Sequence, residues 1–124
     1  MSVKYTSNSA EILAELKAAK ARSLEIIGGT AEGYAKQACP ADTGRLRGSI
    51  AHARVSEDTE QIGTDVPYAI FVEMGHNQQP GRYVPAIGKR LVASHVAAKP
   101  FLKPALDNHV DEYVHIVKTE YGID

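Results

Sequence analysis

The sequence has a single cysteine, Cys39, so no disulfide can close within the chain and a reducing compartment is its expected setting. No apolar run approaches the roughly 18 residues of a membrane-spanning helix, and the polar N-terminal stretch has no signal-peptide core. A protein made in the cytoplasm, with no membrane partner, is expected. Charge of one sign is also missing in bulk. The 14 basic and 15 acidic side chains leave a formal net charge of -1, which argues against a general electrostatic binder of nucleic acid.

Catalytic signatures are equally scarce. Ser49, Ser56 and Ser94 lack the strained Gly-x-Ser-x-Gly elbow of a nucleophile. Cys39, a small thiol expected to be packed between Ala38 and Pro40, has no nearby positive group to lower its pKa. Gly28-Gly29 is neither preceded by a strand nor followed by the lysine of a phosphate loop. Five histidines are present, yet no His-Glu-x-x-His pattern occurs. Glu73 and His76 straddle Gly75, His109 and His115 point in different directions from one helix, and His52 and His95 have no close partner in sequence. A metal site would need long-range convergence, so no metal or cofactor is expected.

One tripeptide does invite a catalytic reading. Asp42-Thr43-Gly44 is the signature of the dimeric aspartic proteases of retroviruses, in which carboxylates from two subunits share a proton. Such a turn must be held by an apolar strand. Here its flanks are Cys39-Pro40-Ala41 and Arg45-Leu46-Arg47, so the preferred reading is a turn in which Asp42 or Thr43 caps a short helix through Leu46 while Gly44 eases the bend. Arg45, Arg47, Arg82, Lys89 and Arg90, with Tyr83 for stacking, allow a third reading as a nucleic-acid-binding surface. No helix-turn-helix, zinc module or recurrent aromatic motif accompanies them, so sequence-specific nucleic-acid binding is not expected.

What the 124 residues do contain is a single domain spanning 1–124, with 44% hydrophobic residues to build one core. Apolar residues at Ile12, Leu13, Leu16, Ala19, Leu24, Ile27, Ala31, Tyr34 and Ala38 predict one long N-terminal helix, capped by Ser7 or Ser9 and kinked at Gly28-Gly29. Ser49–Ser56 and Thr59–Thr64 read as a hairpin. Tyr68–Met74 is the densest β-branched and aromatic run, ended by Gly75, and is expected as a central strand. A loop or hairpin arm of about 76–99 follows, with weak strand character at Arg82–Ala86 and an apolar run at Leu91–Val96. Pro100-Phe101-Leu102-Lys103-Pro104 opens a C-terminal helix carrying Leu106, Val110, Tyr113, Val114, Val117 and Tyr121. The expected fold is α+β, with an antiparallel sheet of about four strands and helices packed on one side.

Charge is striped along this order. Glu57, Asp58, Glu60, Asp65 and Glu73 form an acidic stretch, whereas Arg82, Lys89, Arg90, Lys99 and Lys103 form a basic one. Facing patches of neighbouring subunits, with Arg82, Tyr83, Lys89 and Arg90 opposite Glu57, Asp58 and Glu60, are candidate assembly contacts.

Three segments in order carry a resemblance. They are Pro40–Ile50 around Asp42-Thr43-Gly44, Pro67–Gly75 with Tyr68, Glu73 and Gly75, and Lys99–Leu106 with Pro100, Phe101 and Pro104. The arrangement resembles the small tail-component family of long-tailed bacteriophages and prophages, the neck or tail-completion proteins. His76 stands where that family more often has threonine. The resemblance implies a structural, non-enzymatic virion protein of the head-to-tail junction, assembled in the host cytoplasm as a homo-oligomeric ring, commonly a hexamer. Its implied partners are further copies of itself, a head-side connector or stopper protein, and a tail terminator or tail-tube protein.

Overall fold

A computed structural model of the chain describes residues 2–3, 8–40, 44–77, 81, 83–85, 88–90 and 95–123. Asp42, Thr43 and Arg82 lie outside the described residues, and with them the proposed cap at Asp42 or Thr43. The fold is α+β, with a long N-terminal helix, a small antiparallel hairpin and a helical C-terminus.

Helix α1 (Ser9–Ala38) runs unbroken for 30 residues. It starts from Asn8, whose side chain makes no capping hydrogen bond, with Ser9 as its first residue; Ser7, the other expected cap, lies outside the described residues. Its buried positions are Ala19, Ser23, Gly28, Ala31 and Ala35, a stripe of small residues that lets other elements come close. The buried Ser23 hydroxyl donates to the Ala19 carbonyl at 2.8 Å, so no polar group is left unsatisfied there. The helix does not break at Gly28-Gly29, and Gly28 is used for close approach. A Cβ at that position would lie 2.7 Å from both Glu60 Cγ and His52 Nδ1.

Helix α2 (Arg45–Ser49) begins at Gly44, whose φ of 72° makes the expected turn. Strands β1 (Ala51–Ser56) and β2 (Thr59–Gly63) then form the predicted hairpin, pairing Ala51 with Gly63 and His52 with Ile62.

The expected central strand is instead a helix, α3 (Ala69–Met74). Propensity is overridden by packing. Val66 and Ala69 are buried and Val72 packs on the same core, a spacing of three that only a helical turn turns inward. Ile70, Phe71 and Met74 are left exposed. Gly75 ends the helix with φ 73°, and its missing side chain admits the backbone of Val96 and Ala98, since a Cβ would meet Val96 O at 2.7 Å and Ala98 N at 2.8 Å.

The arm is a nested pair of two-residue ladders, β3 (His76–Asn77) with β6 (His95–Val96) and β4 (Tyr83–Val84) with β5 (Lys89–Arg90), all antiparallel. Among the described residues, therefore, the strands form three separate two-stranded pairs in place of one sheet of about four. The C-terminal helix is likewise two, α4 (Leu102–Asp107) and α5 (Val110–Tyr121). Asn108 and His109 separate them, and the His109 ring stacks on Tyr34 of α1 with centroids 3.5 Å apart.

The core gathers Ala35, Cys39, Leu46, Ile50, Val66, Ala69, Phe101 and Ala105. It is small for the chain. The accessible surface is 8964 Å², against about 6,500 Å² for a compact monomer of 13.4 kDa.

Candidate functional site

All three segments that carry the resemblance meet in this core. Leu46 and Ile50 come from the first, Ala69 from the second, and Phe101 and Ala105 from the third. The second and third are also joined directly. Glu73, on α3, accepts hydrogen bonds from the backbone N–H groups of Phe101 at 2.8 Å, Leu102 at 3.1 Å and Lys103 at 2.9 Å. These are orphan donors at the start of α4, and a carboxylate there also meets the positive end of the helix dipole. Burial opposes ionisation of Glu73, but the three N–H bonds outweigh it and hold its pKa below the usual carboxylate value. Pro100 and Pro104 suit the same turn, since neither has an N–H to satisfy. Tyr68 precedes α3, packs against the core and lies beneath the Arg45 guanidinium, 5.8 Å from its ring centroid.

The acidic stretch is largely engaged within the chain. Asp58 pairs with Lys20 of α1 at 2.5 Å. The Glu60 side chain is only 5% exposed and is held by His52 at 3.0 Å and Arg54 at 3.4 Å. With Glu73 bound to α4, the exposed acids of this stretch are Glu57, Asp65 and the Lys20-paired Asp58. The basic arm differs. Lys89, Arg90 and Tyr83 are exposed, with the Arg90 guanidinium 5.8 Å from the Tyr83 ring centroid and donating to the Gly81 carbonyl at 3.2 Å. Arg47, by contrast, donates to the Cys39 carbonyl at 2.8 Å. That places a positive group near Cys39 which the sequence order does not reveal. Burial nonetheless dominates and raises the thiol pKa, with Arg47 opposing it weakly.

His52 was without a partner in sequence and acquires two in space. Its Nδ1 faces Glu60, and its Nε2 is 3.9 Å from Glu25. The hydrogen bond to Glu60 is the main cause of a raised His52 pKa, opposed by burial and aided by Glu25, Glu32 and the Glu60 charge. Glu25, His52 and Glu60 place one donor atom each within 4.8 Å of one another, close enough to hold a cation. Arg54 already supplies positive charge, and its guanidinium also donates to the Ala21 carbonyl at 2.7 Å, so the group acts as a clasp between the hairpin and α1.

Between α3 and α4 lies a largely apolar groove of about 740 Å³, lined by Pro67, Ile70, Met74, Pro100, Leu102 and Lys103 among others. Large apolar side chains are exposed elsewhere too, including Ile12, Leu13 and Leu16 on α1 and Val110, Val114 and Val117 on α5. Sequence periodicity assigned most of these to the core. The signal it lacked is that small residues, not large ones, face the neighbouring elements along α1. Among the described residues, no helix is long and apolar enough to cross a membrane. Comparison of the chain with protein-family models, with characterised proteins and with solved structures finds no match.

Proposed function

We propose that this protein is a structural subunit of the neck of a long-tailed bacteriophage or prophage, joining or completing the tail at the head-to-tail junction. It works as a homo-oligomeric ring, with the hexamer as the expected form. The ring sits between a head-side connector or stopper and a tail terminator or tail-tube protein. It assembles in the host cytoplasm, is carried in the virion, and acts by contact and not by catalysis.

The observation that carries this reading is the unfinished surface. The chain exposes about 2,500 Å² more than a compact monomer of its mass, and part of that surface is large apolar side chains on α1, α3 and α5. A standard interface covers about 800 Å² on each partner. Two ring contacts would account for most of the excess and leave area for the proteins above and below. The segments behind the resemblance support the same role, because among their described residues Leu46, Ile50, Ala69, Phe101 and Ala105 build the core and Glu73 caps α4. The exposed Lys89 and Arg90 give the arm a charged tip suited to contact.

Sedimentation of the purified full chain tests the proposal, together with its capture by the connector and tail-tube proteins of neighbouring genes. The expected result is a discrete assembly at a multiple of 13.4 kDa that binds at least one of them. A chain that stays single at every concentration and binds neither overturns it.

A further inference from the structure

We propose that the clasp of Glu25, His52 and Glu60 is a proton-operated latch, which holds the hairpin of β1 and β2 on α1 while the His52 imidazole is protonated and lets it lift once the imidazole is neutral. The device lies within one subunit, so it works alike in a single chain and in a ring.

The latch is built where the hairpin crosses the glycine pair. Glu25, Gly28, Gly29 and Glu32 share one face of α1, at helical spacing. With no side chain at Gly28, the His52 ring and the Glu60 side chain lie where a methyl group would stand. One nitrogen of that ring faces each of two carboxylates. Nδ1 is 3.0 Å from Glu60 of β2, and Nε2 is 3.9 Å from Glu25 of α1. An imidazolium has an N–H for each of them. A neutral imidazole has one N–H and one lone pair, so whichever nitrogen keeps the proton, one carboxylate then loses its donor and meets a lone pair instead.

Charge favours the protonated, closed state. The buried Glu60 carboxylate is bonded by His52 and by Arg54 of the same strand. Once His52 is neutral, the Arg54 guanidinium alone faces two carboxylates, and an undercompensated buried charge is costly. Glu25, with its side chain 67% exposed, can turn to water. Glu60 is packed against Gly28, so its relief requires the hairpin to move. The other groups around His52 act with the same sign: Glu32 adds negative charge from α1, tempered by Lys36 at 3.6 Å, and Asp65 lines the crevice beside the ring. The hydrogen bond to Glu60, opposed by burial, is the main cause that lifts the His52 pKa above its ordinary 6.5. The stability it contributes is therefore complete below 6.5 and lost as pH rises through the higher, folded value. Two ties remain above that value. Arg54 still donates to the Ala21 carbonyl, and the pairing of Lys20 with Asp58 raises the one pKa and lowers the other, so neither titrates near neutrality. The hairpin accordingly loosens without leaving α1.

Two measurements on the full chain test the latch. Proton NMR of the His52 ring between about pH 5 and pH 9 follows its protonation, with the resonance identified by its loss in His52→Gln. Amide hydrogen exchange over Ala51–Gly63 follows the opening of the hairpin, taken at each pH as a ratio to His52→Gln so that the intrinsic rise of exchange with pH cancels. His52 should titrate above 6.5, and the ratio should rise by about threefold or more across the range. Glu25→Gln, at an exposed position, gives an arm that does not depend on how His52→Gln folds: His52 should titrate lower in it than in the unaltered chain. A His52 that titrates at or below 6.5 overturns the latch. So does hairpin exchange that runs parallel in the unaltered chain and His52→Gln, and so does a His52 titration that Glu25→Gln leaves unmoved.

Discussion

The Glu73 carboxylate accepts the backbone N–H of Phe101 at 2.8 Å, and through the adjoining N–H groups of Leu102 and Lys103 it closes the N-terminus of α4. A side chain from one helix thereby satisfies the donors of another, 28 residues further along the chain. Phe101 is fully buried beside it, so the bond also fixes the largest fully buried side chain of the core.

Replacing Glu73 by glutamine keeps the shape but removes the charge and sets an amide NH₂ against backbone donors. Glu73→Gln is expected to lower stability by about 1.5–3 kcal/mol, the range for hydrogen bonds to a charged group. Urea denaturation of the two proteins measures it, and an unchanged midpoint would show that α4 does not depend on this cap.

The same contact predicts a response to acid. Folding lowers the Glu73 pKa from its ordinary value of 4.5, so the folded state favours the ionised form. The resulting stability is complete above that value and is lost as pH falls through the lower, folded pKa. Urea midpoints between about pH 7 and pH 3 should fall more steeply for the unaltered chain than for Glu73→Gln. Parallel curves would rule out Glu73 as the linked group.

Adjacent glycines in α1 are expected to respond in opposite directions. Gly28→Ala places a methyl 2.7 Å from Glu60 Cγ and His52 Nδ1, disturbing the clasp at a cost of about 1–3 kcal/mol. At Gly29 the nearest atom, His52 Nε2, is 3.9 Å away, so Gly29→Ala should stabilise by about 0.5–1 kcal/mol through helix propensity alone. Thermal melts of both variants read the two signs, and equal shifts would contradict the packing of the hairpin on α1.

Charge reversal on the arm should separate folding from assembly. Lys89 and Arg90 are exposed, so Lys89→Glu/Arg90→Glu is expected to change stability by less than about 0.5 kcal/mol. Binding to the connector or tail-tube protein, or to further copies of the chain, should fall. Retained binding and retained oligomer size would remove the arm from the contact surface.

Elements with a strong local signal were legible in the sequence. The helix-forming run from Ser9 to Ala38, the hairpin around Glu57-Asp58, the turn at Gly44, the packed Cys39 and the helix start after Pro100 all follow from propensity, periodicity or backbone freedom, which act over a few residues. Long-range partners supplied the rest. Tyr68–Met74 reads as a strand because β-branched and aromatic residues dominate it. The tertiary structure makes it a helix, since only a helical turn brings Ala69 and Val72 onto the core of Val66 and Phe101 while Glu73 reaches α4. Gly28 reads as a break until the hairpin packs against it, and His52 has no partner until Glu60 and Glu25 arrive from other elements. By itself the sequence determined which segments are regular and where they turn, because those preferences are local. Which faces are buried, and so which apolar side chains remain for a partner, was decided only by the tertiary structure, because burial depends on where distant segments come to lie.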